Sequence, residues 1–392
     1  MKIVHIAPAA PYNDYWGYQE NLLPKYQRKL GHEVTVLITN LEHQGNMTIE
    51  TACRTYVLDD GVKIVRVARK KYKPGILTDI LNRIDIYDWL VDIKPDFIFF
   101  HGLCSTTIYQ VIKYRKKVNP DCVVVQDNHL DYQIGPICTS IRGWGKRFLY
   151  RWINKHSIKY VDRVYGVTPQ RKEYAEDYFA IPKEKTDVLI MGADDEKIAF
   201  AKREQIRHDI RKQYQIADDT FLIVTGGKID RKKNIHVLME ACKWFTNVKL
   251  LIFGEVMPDI QEEYAALMSQ TNNIISIGWI DSDKVYDYYF AADLVMFPGQ
   301  HSVLWEQACA TKVPCVFKHW RGMEHVDNGG NSMLLEEVSA ETLRDAVKSL
   351  LFTEKYQKML QIARTDKTDV YLYSNIAKKS LECATITNEG FE

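Results

Sequence analysis

Phe221-Leu-Ile-Val-Thr-Gly-Gly-Lys-Ile-Asp-Arg-Lys-Lys-Asn-Ile235 is the stretch on which the reading of this chain turns. Its first five residues are a short buried-strand pattern, and Ile235 opens an apolar run with helical spacing. Between them lie two glycines and the cations Lys228, Arg231, Lys232 and Lys233. The same rhythm recurs downstream. Val248 to Phe253 ends at Gly254-Glu255, and Asp293-Leu-Val-Met-Phe297 leads through Pro298-Gly299-Gln300-His301-Ser302 into a helical run from Val303 to Ala310. Strand, glycine-containing loop, helix, repeated, predicts a doubly wound parallel sheet with its reactive loops at the carboxyl ends of the strands. Glycines next to clustered cations before a helix suit an anion, and a diphosphate fits best.

Working toward the amino terminus, Lys2 to Ala7 reads as a strand, Gln19 to Leu30 as a helix closed by Gly31, and Val34 to Ile38 as the next strand. Further strands are predicted at Val62–Val67, Asp96–Phe100 and Val123–Val125. The last two end at His101-Gly102 and at Gln126-Asp127-Asn128-His129. Loops ending neighbouring parallel strands point to one edge, so His101, Asp127 and His129 are candidates for binding or proton handling. From Ile141 to Arg163 the pattern is a basic amphipathic helix: Ile141, Trp144, Phe148, Leu149, Trp152 and Ile153 recur at helical spacing. Arg142, Lys146, Arg147, Arg151, Lys155, Lys159 and Arg163 fill the other faces. Two placements fit, an apolar stripe packed on its own domain or one laid on an anionic membrane through Trp144, Arg147, Phe148, Arg151 and Trp152.

A chain of 392 residues, 46% hydrophobic, is long enough for two domains. A formal net charge of +1 argues against a nucleic-acid binder, so basic character is local. The 8 cysteines show no paired spacing and read as reduced core residues, with no metal site expected. The first strand begins at once, without a signal-peptide layout, and no apolar run reaches the length of a membrane span. A cytoplasmic location follows, with peripheral membrane contact as the alternative the helix leaves open. A nicotinamide dehydrogenase would need G-x-G-x-x-G after the first strand, and Pro8 to Gly17 offers one glycine.

The order of short motifs goes further than any one of them. Gly226-Gly227-Lys228, Lys233-Asn234 opening a helix, Phe253-Gly254-Glu255, Ile277-Gly278-Trp279, Ala291-Ala292-Asp293, Pro298-Gly299, Glu306-Gln-Ala and Val313-Pro-Cys-Val316 resemble, collinearly, the carboxyl-terminal half of the retaining glycosyltransferases of family 4. Gly17-Tyr18-Gln19-Glu20, Gly31-His32-Glu33-Val34, Asp162 to Pro169 and Thr186 to Asp194 resemble that family's amino-terminal half and crossover.

The resemblance implies an α/β GT-B fold. Two doubly wound Rossmann-like domains, 1–192 and 193–369, face each other across a cleft, and a carboxyl-terminal helix, 370–392, returns to the first. It implies a nucleotide sugar, UDP-hexose, held by Gly17, Gly227, Lys228, Lys233, Gly254, Gln300, His301, Ser302, Val303 and Glu306. It further implies an acceptor, a glycan or lipid-linked glycan of bacterial surface polysaccharide synthesis, near His101, Asp127 and His129. Lys228 and Lys233 would stabilise the departing diphosphate, Asp127 and His129 would serve the acceptor, and no metal would be needed. Glu306 matches the second glutamate of the family's pair; the first is missing, its place falling on Pro298. A GT-B epimerase, or a nucleotide-binding protein without transferase activity, is the alternative.

Overall fold

The computed structural model describes residues 1–45, 47–132 and 140–386. Cys138 and the residues after 386 lie outside them, as do the side chains of Arg142, Thr385 and Ile386. The chain divides into two compact units, Met1–Ile190 with Ile376–Glu392, and Met191–Asn375.

The first unit is built on an eight-stranded sheet. Across it run Thr186–Val188, Arg163–Gly166, Val123–Asn128, Phe97–Phe100, Lys2–Ala7, Glu33–Thr39, Lys63–Val67 and Thr55–Val57. Every neighbouring pair is parallel except the last. Strands covered by helices on both faces must be apolar throughout, and Val4, Ile6, Ile98, Phe100 and Val124 are accordingly buried in one core. From Lys2–Ala7 the chain passes to Glu33–Thr39 on one side, while Phe97–Phe100 lies on the other. The crevice between such diverging strands is where this architecture binds ligands.

The second unit repeats the plan with six parallel strands, Ile274–Gly278, Val248–Phe253, Phe221–Gly226, Leu294–Phe297, Cys315–Lys318 and Ser332–Leu335. Its order reverses between Phe221–Gly226 and Leu294–Phe297, so the loops after Gly226 and Phe297 flank the switch point.

Three expectations are corrected. The strand from Val123 continues to Asn128, so Asp127 is a strand residue, opposite Tyr165, rather than a loop residue. The basic helix stops at Ser157 and gives way to a 3₁₀ turn, Ile158–Tyr160. The helix expected from Val370 is broken: a 3₁₀ turn ends at Tyr371, and helices Tyr373–Ser380 and Glu382–Ile386 follow. Among the described residues, no helix is long and apolar enough to cross a membrane.

Candidate functional site

In the second unit, three loops at the carboxyl ends of the strands are knitted together through their backbones. The Gly227 amide donates to the Phe253 carbonyl (3.0 Å), and the Gly254 amide to the Gly278 carbonyl (2.7 Å). A Cβ on Gly254, whose φ is +122°, would lie 1.8 Å from the Gly227 carbonyl oxygen; one on Gly299 would lie 2.3 Å from the Lys233 backbone. These glycines therefore allow loop to pack on loop. The expectation that Gly227 opens its amide to a ligand is corrected, because that N–H is held by strand Val248–Phe253.

Onto this knot the sequence hangs its polar groups. The Gln300 amide donates to the Lys232 carbonyl (2.9 Å), and Asn234 Nδ2 to the Pro298 carbonyl (3.1 Å). Lys233 Nζ donates to the Gln300 carbonyl (2.7 Å) and the His301 carbonyl (3.3 Å). Of the ammonium's three donors, one remains for a ligand. Burial pulls the Lys233 pKa down to about 8; nearby Asp230 opposes that shift and Lys228 adds to it. Lys228 is exposed and has no ion-pair partner among the described residues.

Glu306 lies in the first turn of the helix Leu304–Ala310 and is fully buried. A first-turn acid would face solvent; this one is gripped. His301 Nε2 and His325 Nε2 each donate to its Oε1, both at 2.8 Å. Burial alone would raise the carboxyl's pKa, but the two imidazoles hold it far below the usual range. Its other oxygen, Oε2, is buried with no hydrogen-bond partner among the described residues, as is His325 Nδ1. Both atoms are buried polar groups that call for a partner, and sugar hydroxyls, which donate as well as accept, suit them. Ser302 and Val303 supply backbone carbonyls to the amides of Trp305 and Gln307 (3.0 Å each), starting the helix, and Trp320 Nε1 donates to the Gly299 carbonyl (3.0 Å).

In the first unit the structure brings His101, Asp127 and His129 together. Asp127 is fully buried and accepts from His101 Nδ1 (2.7 Å), His129 Nε2 (3.2 Å) and the Gly102 amide (2.8 Å). Burial would raise its pKa; His101 and His129 more than reverse that and hold it well below the usual range. Burial works against a charge on His129, and the Asp127 carboxylate overrides it, so the His129 pKa is raised.

Behind this triad stands a chain of contacts that fixes proton positions. Ser380 Oγ donates to the Ala377 carbonyl (2.6 Å) and accepts from Gln27 Nε2 (2.9 Å). Gln27 Oε1 therefore accepts from His5 Nε2 (2.7 Å). His5, whose pKa is pushed down to about 3 by burial and by His101, is neutral, so its Nδ1 accepts from His101 Nε2 (3.1 Å). His101 thus links His5 to the Asp127 carboxylate through its two ring nitrogens.

Gly17 sits on an exposed loop, and an added Cβ there would meet nothing within 4 Å. On helix Ile141–Ser157 the expected single apolar stripe divides in two. Tyr150 and Ile153, with Leu149 against them, join the core, whereas Ile141 (92%), Phe148 (74%), Trp144 (57%) and Trp152 (48%) face outward. Arg147 and Arg151 do not stand free: both donate to the Asp177 carbonyl (3.3 and 3.2 Å), capping helix Pro169–Phe179. Among the described side chains, Lys146 and Lys155 on this helix and Lys159 in the following turn are exposed.

Sequence reasoning missed His5, Gln27, His325 and Trp320. His5 carried a signal, an imidazole in the middle of an apolar strand; His325, in a short 3₁₀ turn at Glu324–Val326, carried none.

Two groups bring three possible ligand atoms within 4.8 Å of one another, Glu20, His101 and His129, and His301, Glu306 and His325. In both, imidazole N–H groups already point at a carboxylate.

The family model "Glycosyl transferases group 1" matches residues 206–366, and "Glycosyltransferase Family 4" matches residues 22–197. Among curated proteins, an uncharacterized glycosyltransferase of Methanocaldococcus jannaschii is 22% identical over 248 residues, 60% of this chain and 64% of that protein. A lipopolysaccharide 1,2-N-acetylglucosaminetransferase of Salmonella typhimurium is 23% identical over 189 residues, 44% of this chain and 50% of that protein. The chain thus spans between half and two thirds of the length of these relatives. In fold it is similar to an Anabaena protein solved with UDP-glucose, at a TM-score of 0.65 and 13% identity, covering 99% of this chain and 100% of that one. With both halves matched in chain order and two parallel sheets beneath them, the chain belongs to the family 4, group 1 glycosyltransferases of GT-B fold.

Proposed function

We propose that the protein transfers a hexose from a nucleoside diphosphate, UDP, to a glycan or lipid-linked glycan acceptor of surface polysaccharide synthesis, with retention of anomeric configuration and without a metal ion. One observation carries the donor half: at the switch point of the second sheet, the Lys233 ammonium and the histidine-held Glu306 both flank the Gln300–Ser302 loop. A cation with a free donor suits the diphosphate, and a buried carboxylate oxygen suits hydroxyls of the ribose or sugar. The UDP-glucose bound by the Anabaena protein of similar fold and the glycan acceptor named for the Salmonella relative support the same classes.

In this reaction the bond from the anomeric carbon to the diphosphate oxygen breaks. The acceptor oxygen bonds to the same carbon on the same face, and its proton passes to the departing phosphate. Lys228 and Lys233 stabilise the charge that develops there, a contribution of roughly 3 kcal/mol for a well-placed donor. In the first unit, His129 and Asp127 orient the acceptor hydroxyl.

The outward face of Ile141, Trp144, Phe148 and Trp152, with Lys146, Lys155 and Lys159 exposed on the same segment, suits an anionic bilayer surface, where a lipid-linked acceptor would be found. The test is UDP release from UDP-glucose, UDP-galactose and UDP-N-acetylglucosamine, each with and without a bacterial lipid extract. Acceptor-dependent release that falls at least tenfold in Lys233→Ala supports the reading. UDP-sugar turnover independent of any acceptor would replace it with an epimerase or hydrolase.

A further inference from the structure

The amino ends of the second sheet carry a separate cationic cavity. It has a volume of about 150 Å³ and is lined by Arg203, Arg207, Lys312 and Arg364, with Asp293 and Glu204 as its carboxylates. Asp293 directly precedes strand Leu294–Phe297 and Lys312 comes shortly before Cys315–Lys318, whereas the loops holding Lys233 and Glu306 follow carboxyl ends. A strand of four residues puts about 13 Å between the two edges.

The charges around this cavity are unequally matched. Asp293 is occupied by Arg207 (2.6 Å) and Arg211 (3.3 Å). Lys312 is paired with Asp369 (2.8 Å). Arg203 has no carboxylate partner among the described residues: its guanidinium reaches the carbonyls of Thr311 and Lys312 and lies over the Phe290 ring, 4.7 Å from its centroid. Arg364 is exposed, with no ion-pair partner among the described residues. Glu204 is exposed at the rim. Burial, and after it the charge of Arg364, pull the Arg203 pKa down to about 10.

We infer that this cavity is an oxyanion site for a phosphate group, either free or as the end of a phosphomonoester. The lining sets four cations against two carboxylates, and with Arg211 on Asp293 and both Asp369 and Asp366 on Lys312 counted, positive charge still exceeds negative, as an anion site requires. Guanidinium forks bind phosphate oxygens in pairs, and a cavity of about 150 Å³ corresponds to roughly five water volumes, room for a small oxyanion. The ligand also has a structural consequence. Arg203 caps the carboxyl end of helix Leu304–Ala310, which carries Glu306, so an anion that relieves the Arg203–Arg364 repulsion secures that cap.

The test is thermal unfolding of the full chain with inorganic phosphate or glycerol 3-phosphate, against sodium chloride at equal ionic strength, in the wild type, Arg364→Ala and Lys233→Ala. Phosphate at tenfold its dissociation constant should raise the melting temperature of the wild type and of Lys233→Ala by about 3–6 °C. Arg364→Ala should lose that shift while melting no lower than the wild type without phosphate, since a repulsion has been removed. Its stabilisation by UDP should be unchanged. A larger response to glycerol 3-phosphate than to phosphate identifies a phosphomonoester as ligand; an equal one identifies the free ion. The inference is overturned if neither anion shifts the wild type beyond the salt control, or if the shift survives in Arg364→Ala and disappears in Lys233→Ala.

Discussion

Exchanging Lys233 for alanine should affect stability and donor binding together, whereas exchanging Lys228 should affect binding alone. Lys233 Nζ donates to two carbonyls of the 300 loop, at 2.7 and 3.3 Å. Hydrogen bonds from a charged donor contribute about 1.5–3 kcal/mol each, and relief from burying an ammonium gives part of that back. A net loss of about 2 kcal/mol is expected, or about 4–8 °C in melting temperature for a unit of this size. On the proposed function, loss of the remaining donor adds a binding loss of about 1.5–3 kcal/mol, on the order of 10- to 150-fold in UDP affinity. Lys228 is exposed and makes no ion pair among the described residues, so its alanine variant should melt within about 1 °C of the wild type and still bind UDP more weakly. Differential scanning fluorimetry and isothermal titration with UDP read both quantities. A Lys233→Ala protein that melts and binds UDP like the wild type would refute the reasoning.

The depressed Lys233 pKa predicts a pH dependence: the cation is lost as pH rises through about 8, so UDP affinity should fall between pH 7 and 9. Lys233→Arg should abolish that inflection even if it binds more weakly; stability has the opposite sign, rising above pH 8, because there the unfolded lysine holds more protons than the folded one. Asp127→Asn should cost about 3–5 kcal/mol, because it removes the buried carboxylate that holds His101, His129 and the Gly102 amide, and NMR titration should find the His129 pKa lowered. In the wild type, the His129–Asp127 contribution is complete below pH 6.5 and fades as pH rises through the raised His129 value. Gly254→Ala should unfold the second unit or leave it insoluble, whereas Gly17→Ala should change stability by less than about 1 kcal/mol. The Trp144→Ser, Phe148→Ser double variant should keep its melting temperature and lose on the order of 100-fold in partitioning to phosphatidylglycerol vesicles, from about 3 kcal/mol of apolar contact. Unaltered partitioning would leave the exposed stripe without a membrane role.

The parallel sheets were legible because their strands are apolar on both faces, so Val248–Phe253 and Phe221–Gly226 could hardly be anything else. Glycine positions were legible too, although their use was misjudged. The Gly226-Gly227 pair was read as opening backbone amides to a ligand, whereas the Gly227 amide is held by Phe253 and Gly227 packs on Gly254, a partner 27 residues away that no local pattern reveals. Polar residues inside strands were hardest. His5 and Asp127 sit where apolar residues are expected, and their meaning comes only from what folding brings beside them, His101 from one strand end and Gln27 from a helix. Glu306 was found by its motif, but its environment of two histidines was not, since His325 is 19 residues away in a turn with no pattern of its own.

The central claim is that the second unit binds a nucleoside diphosphate. The measurement that tests it most directly is thermal stabilisation of the purified protein by UDP, GDP, ADP and NAD side by side, in the wild type and in Lys233→Ala. At a hundredfold its dissociation constant a ligand adds about 2.7 kcal/mol. The account predicts a shift of several degrees with UDP, much smaller with the others, and largely lost in Lys233→Ala. A response to NAD with none to the diphosphates, or a UDP shift indifferent to Lys233, would contradict it.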